Sequence, residues 1–202
     1  MYYLLEINIV DEKKHYLLNG VLYNNQKEEV TPIFDDGILH PNMYDPYTLI
    51  LNDSESLTKN REFTDVISSF VIDAGFLFLV SPATQELFSK LIPDDIRMYE
   101  VGIKGNKFAL DSYRIVKVLD KIDCVNLEES DIEYDEQYDT IDSAESIVLD
   151  EQKIPEGKKI FLLGKRASGI ILVHEDLKKA IESANLTGFI FYPLEEAYMV
   201  IS

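Results

Sequence analysis

Residues 75–91 read Gly-Phe-Leu-Phe-Leu-Val-Ser-Pro-Ala-Thr-Gln-Glu-Leu-Phe-Ser-Lys-Leu. Phe76 to Val80 is an apolar run of the length of a core strand. Ser81 offers a hydroxyl to cap a helix, and Pro82 has the fixed φ suited to a first helical residue. Thr84, Leu87, Phe88 and Leu91 recur at helical spacing, so the helix turns one face to a core. After the break at Pro93-Asp94-Asp95, Ile96, Met98 and Val101 begin a second strand.

The same order returns downstream. Gly169 to Val173 is the strand, His174 stands in the place of Ser81, and Leu177, Ala180, Ile181 and Ala184 repeat the apolar helical face. Phe189 to Tyr192 closes the unit. Val80 aligns with Val173, Phe88 with Ile181 and Tyr99 with Tyr192, each pair 93 positions apart without a gap. The register predicts two related strand–helix–strand units, whose flanking strands run parallel if they share a sheet.

Residues 2–10 and 14–23 have strand character around the polar turn Asp11-Glu12-Lys13-Lys14, which predicts an opening hairpin. From Asn24 to Asn60 the chain is polar, with Asp35-Asp36-Gly37 as a turn signal and Tyr47 to Leu51 as a short strand. The expected fold class is therefore α+β, α/β-like: a mixed sheet with two similar strand–helix–strand units and an N-terminal β-hairpin. Residues 1–62 form the hairpin and loop region. Residues 63–202 form the core, with an acidic insertion at 124–151, and the whole reads as one compact domain.

Thirty-seven acidic residues against nineteen basic ones give a formal charge of −18. Such a field repels nucleic acid and anionic membrane and attracts basic surfaces. The compact basic pairs are Lys158-Lys159 and Lys165-Arg166, too little for a phosphate-binding patch. Acidity of this size also keeps a protein soluble, with no partner implied. The most apolar region, Val66 to Ala83, is interrupted by Asp73 and reads as core, not as a membrane span. Met1 to Glu6 has neither the basic start nor the cleavage site of a secretory leader, and Cys124 is the single cysteine. Both point to a cytoplasmic protein without a disulfide framework.

Catalytic chemistry needs a constellation, and the candidates are dispersed. His15, His40 and His174 have no metal-binding spacing and no nucleophile beside them. His174 reads as a helix cap. Cys124 lies near Asp120 and Asp123, which disfavour a thiolate. Asp35-Asp36 and Asp94-Asp95 fall at turns, where turn chemistry explains them. Gly164-Lys165-Arg166-Ala167-Ser168-Gly169 has glycines and bases in the wrong order for a nucleotide loop. No cofactor or metal is implied.

The acidic charge is concentrated. Residues 124–151 carry eleven carboxylates and no lysine or arginine. Asp131, Glu133, Asp135, Asp139 and Asp142 approach a calcium-loop spacing, but Glu136 occupies the position that needs glycine and Asp142 replaces the bidentate glutamate. The apolar residues here are widely spaced, which predicts a long surface loop or weakly held linker. Glu128, Glu129, Asp131, Glu133, Tyr134, Asp135, Glu136, Tyr138, Asp139 and Asp142 combine steering charge with aromatic rings, as a binder of a basic protein cleft would. A solvated loop without a partner explains them equally well.

The run Ile147-Val148-Leu149-Asp150, Ile154-Pro155, Ile160 to Gly164, Val173 to Lys178 and Asn185 to Phe189 resembles the bacterial polymorphic-toxin immunity family numbered eleven. The Gly75–Leu91 block and the Asp120/Asp123 pair are also similar to that family, and the likeness extends from about residue 63 to 194. The resemblance implies a cytoplasmic antitoxin, not an enzyme, that binds a cognate toxin and blocks it. It brings no catalytic residues. The alternatives are an enzyme using dispersed carboxylates and His174, or a protein-binding adaptor unrelated to toxins.

Overall fold

The computed structural model describes residues 1–7, 14–18, 20–23, 27, 47–51, 62–69, 77–105, 109–165 and 170–201. In chain order the strands are β1 (Tyr2–Ile7), β2 (Lys14–Leu18), β3 (Gly20–Tyr23), β4 (Tyr47–Leu51), β5 (Glu62–Ser69) and β6 (Leu77–Val80). Helix α1 (Pro82–Leu91) follows, then β7 (Ile96–Lys104), β8 (Ala109–Leu110), β9 (Arg114–Val118), β10 (Lys121–Ile122), β11 (Asp131–Asp135) and β12 (Thr140–Ser146). The chain continues through β13 (Ile160–Leu163), β14 (Ile171–His174), helix α2 (Glu175–Ser183) and β15 (Phe189–Pro193) to a 3-10 segment, Leu194–Met199.

The local signals at both helices hold. Ser81 caps α1, its side chain accepting from the Thr84 amide, with Pro82 in the first turn. His174 caps α2 in the same way, its Nδ1 accepting from the Asp176 amide at 3.2 Å. At the other end of α2, Asn185 adopts a left-handed φ of 54°. The Asn185 amide then donates to Glu182 O and the Leu186 amide to Ile181 O, which closes the helix.

The expected fold class is corrected. With fifteen strands and two α-helices among the described residues, the fold is mostly β. The strands around each helix are not neighbours: β9 lies between β6 and β7, and β1 lies between β14 and β15. Both inserted strands are antiparallel to those they separate. The opening hairpin does not form either. β1 pairs with β14 and β15, whereas β2 pairs with β5 in another sheet. The reason lies in Leu4 and Leu5, consecutive and both buried. A strand covered on both faces belongs in the middle of a sheet, not at the edge of a two-stranded ribbon.

Three sheets result. The largest runs β2-β5-β6-β9-β7-β4-β3, with β8 attached to β7. Its two end strands, β2 and β3, are separated in sequence by residue 19 alone, so the sheet rolls until its ends meet in one stretch of chain. Leu22, Tyr47, Leu49, Ile67, Leu79 and Ile103, from five of its strands, pack together in one core. The second sheet runs β10-β13-β14-β1-β15, and the third is the hairpin β11-β12.

Strand parity distributes the side chains among three cores. Phe78 and Val80 of β6 meet Ile160, Leu162, Ile171 and Val173 of the second sheet, together with Phe88 of α1 and Leu177 and Ile181 of α2. The alternate residues of the second sheet, Leu4, Phe161, Leu163 and Leu172, face a separate core with Ile141, Ala144 and Ile147. This overturns the expectation of a long acidic loop or linker. The segment is a hairpin that covers the outer face of the second sheet.

Two polar joints fasten the large sheet to the second. In one, Asp65 of β5 accepts from the Thr187 amide and hydroxyl, both at 2.8 Å, and from Ser81 Oγ at 2.7 Å. The chain passes so close here that a Cβ on Gly188 would lie 2.8 Å from Val66 O, and Gly188 has a φ of +94°. In the other, Lys158 Nζ donates to Asp95 at 2.7 Å and to Asp120 at 2.5 Å. The Lys158 and Asp95 side chains are only 13% and 11% exposed.

Gly188→Ala combines positive-φ strain with a backbone contact, each worth about 1 kcal/mol or more. It should lower the thermal midpoint by roughly 4–8 °C, measured by calorimetry. The second joint makes a pH prediction. Burial opposes the charge on Lys158, but the hydrogen bonds to Asp120 and Asp95 outweigh it and hold the ammonium above its ordinary pKa. Its contribution is complete below the unfolded value of about 10.4 and is lost as pH rises through the folded value. Lys158→Met should therefore be less stable than the parent at pH 7, and the difference should shrink above about pH 10.4 in pH-dependent denaturation.

Candidate functional site

The hairpin β11-β12 alternates unevenly because its register shifts between Asp131 and Ile132 and again between Glu133 and Tyr134. Ile132, Tyr134, Ile141, Ala144 and Ile147 turn toward the second sheet. Asp131, Glu133, Asp142 and Glu145 are exposed. Glu128 and Glu129 occupy the turn before β11 and are exposed as well. Glu133 accepts from Ser143 Oγ across the strands at 2.9 Å, and Asp142 accepts from Thr140 Oγ1 at 3.3 Å.

The tip is built by its own carboxylates. Asp135 accepts from the Gln137 amide at 2.7 Å and the Tyr138 amide at 3.2 Å, which fixes the turn. Asp139 takes the left-handed φ of 54° that closes it. Its carboxylate accepts from the Tyr134 hydroxyl and from Lys165 Nζ, the latter at 2.6 Å. Lys165 also reaches Asp123 at 3.4 Å and lies 5.8 Å from the Tyr134 ring centroid. Glu136 and Tyr138 remain on the outside, with Tyr138 70% exposed.

The ten residues singled out in the sequence thus separate by role. Tyr134, Asp135 and Asp139 hold the hairpin together. Glu128, Glu129, Asp131, Glu133, Glu136, Tyr138 and Asp142 face outward. Lys165 and Asp123, which complete the site, were not among them. A cleft of about 470 Å³ opens between the tip and the ends of β10 and β13, lined by Lys121, Asp123, Tyr138, Asp139, Thr140, Gly164 and Lys165. Glycine is required at 164, because a Cβ there would fall 2.5 Å from the Asp123 Cα.

The electrostatics fix charge and do not move protons. The hydrogen bond from Lys165, then that from Tyr134, holds the Asp139 carboxyl below its usual pKa. The same bond from the other side raises Lys165, and acceptance by Asp139 raises the Tyr134 phenol. All three groups keep one protonation state around neutral pH. Burial, reinforced by Asp123, pushes the Cys124 thiol up to about 11, so it is a poor nucleophile. His174 serves the α2 cap, β2 contains His15, and His40 and the Asp35-Asp36-Gly37 turn lie outside the described residues. Among the described residues, no three His, Cys, Asp or Glu side chains are grouped to hold a metal ion, and no helix is long and apolar enough to cross a membrane. The carboxylates with calcium-like spacing are spread along the two strands and their turn.

The sequence model of the immunity protein family (Imm11) matches residues 12–196. The chain belongs to the Imm11 immunity protein family. The match takes in the large sheet, the strands of the second sheet other than β1, both helices and the whole acidic hairpin. No curated protein matches the chain. The charged side chains of its hairpin, from Asp131 to Ser146, are all carboxylates.

Replacing Lys165 tests the pin. Lys165→Met should accelerate amide exchange at residues 133–142 by about tenfold or more, while amides in α1 keep their protection. Equal exchange at the tip in both proteins would show that the backbone ladder alone holds it.

Proposed function

We propose that this immunity protein neutralises a cognate toxin in the cytoplasm by forming a non-covalent inhibitory complex, with the acidic hairpin contacting a basic surface of the toxin. One observation carries the reading. Tyr138 stands 70% exposed at the tip of an ordered hairpin whose outward side chains are carboxylates.

A ring held in that position is suited to docking. It offers a large contact area and loses little side-chain freedom on binding. The surrounding carboxylates attract a basic partner over a distance of about a Debye length, near 8 Å at physiological salt. They would also repel nucleic acid and anionic lipid, which fits a protein partner and neither of the others. Inhibition of this kind needs no catalytic group on the immunity side: occupying the toxin's working surface is enough. The reading therefore makes the protein a binder and not an enzyme.

The test is binding to the toxin encoded beside its gene, by calorimetry and by rescue of toxin-expressing cells. Changing Glu128, Glu129, Asp131, Glu133, Glu136 and Asp142 to their amides should weaken binding by about tenfold or more, mostly through slower association. The parent complex should lose affinity as salt rises, and the variant much less. Unchanged affinity in the variant would remove the hairpin from the contact surface.

A further inference from the structure

Exposed apolar surface is unevenly placed among the described residues. Among the described residues seven large hydrophobic side chains are exposed, and four of them, Tyr138, Val148, Tyr198 and Met199, belong to the hairpin, its exit or the 3-10 segment Leu194–Met199. That segment and the residues just after it lie along β12 and are stitched to the hairpin and its exit at two points. The Ile147 amide donates to Leu194 O at 2.9 Å, and the Ala144 amide donates to Ile201 O at 3.2 Å. Ala197 is fully buried in the core that also holds Ile141, Ala144 and Ile147. The segment is a fixed ledge beside the hairpin.

Between the two stitches the ledge exposes Glu195 and Glu196, then Tyr198 and Met199. Tyr198 is 48% exposed and Met199 45%. The two large apolar side chains are adjacent and lie beside two carboxylates, and both residue types are enriched in protein contacts. We infer that Tyr198 and Met199 are apolar anchors of the toxin contact, which extends from the acidic hairpin onto the 3-10 ledge. This rests on the immunity reading above.

Charge decides the kind of partner. Glu195 and Glu196 are exposed beside the apolar pair on the ledge, and Asp142 and Glu145 are exposed on β12, which the ledge borders. The complementary surface is an apolar pocket rimmed by lysine and arginine on a folded protein. Tyr198 supplies a rigid ring for such a pocket, and the flexible thioether of Met199 fills what the ring leaves. The carboxylates order the approach and the apolar pair sets the residence time.

The experiment measures affinity of the full chain for the toxin encoded beside its gene. Tyr198→Ser with Met199→Gln should weaken binding by about thirtyfold through faster dissociation, with the thermal midpoint unchanged. Ile50→Ser is the control, since Ile50 is 45% exposed on β4, in the other sheet, and its loss should leave binding intact. A photo-crosslinking amino acid at position 198 should trap the toxin, and one at position 50 should not; this second measurement holds if the double variant folds poorly. Loss below tenfold together with no crosslink at position 198 overturns the anchor assignment while the immunity reading stands. Failure of the parent chain to bind the toxin overturns both.

Discussion

Four consecutive buried residues in one strand, as at Leu77–Val80 and Ile160–Leu163, can be satisfied only by apolar layers on both faces of a sheet. Most of the architecture follows from that requirement. Phe78 and Val80 project into the middle core shared with the second sheet, so Leu77 and Leu79 must find cover on the opposite side. Rolling the large sheet until β2 and β3 meet supplies it. Ile160 and Leu162 complete the same middle core, which leaves Phe161 and Leu163 facing outward from the second sheet. They are covered by the acidic hairpin and the 3-10 ledge. The surface assigned to the partner is therefore the outside of an element that the fold needs as a cover.

The sparse basic residues have been placed accordingly. Lys158 joins Asp95 and Asp120 where the two large sheets meet, and Lys165 joins Asp123 and Asp139 where the hairpin tip meets the second sheet. Each cation ties carboxylates at a seam, and neither belongs to the hairpin strands. The outward side of the hairpin is left with a single sign of charge. A mixed-charge surface would have been as soluble. A single-sign surface on an ordered cover concentrates the field in one direction, which is more useful for attracting a basic partner than for solubility.

What could be read from the sequence was whatever depends on adjacent residues. Ser81-Pro82 and His174 announced helix starts because a cap and its amide lie within three positions of each other. Strand pairing is not local, and there the reading failed. Consecutive Leu4 and Leu5 suit a strand covered on both faces, but nothing local says that the other members of its sheet come from residues 121 to 193. The acidic hairpin was hidden by its two register shifts, which break the alternation that marks a strand, and by the number of carboxylates around a few apolar positions. Lys165 could not be connected with Asp139 across 26 positions. Tyr198 and Met199 look like ordinary core residues in sequence, and only their position on the ledge distinguishes them.

The order of the acidic surface bears on how tightly it can hold a partner. A disordered acidic segment would lose conformational freedom on binding, of the order of 1 kcal/mol for each residue fixed. Here that freedom has already been given up in folding: Lys165 secures the tip, the strand ladder secures the middle, Ile201 secures β12 at Ala144, and Leu194 of the 3-10 segment secures the hairpin exit at Ile147. Docking then needs only the outward side chains to settle. On the proposed reading as a toxin binder, both fast capture and slow release are favoured. In that proposal single-sign charge serves the first and pre-ordered rings serve the second, and the hairpin with its ledge would supply both.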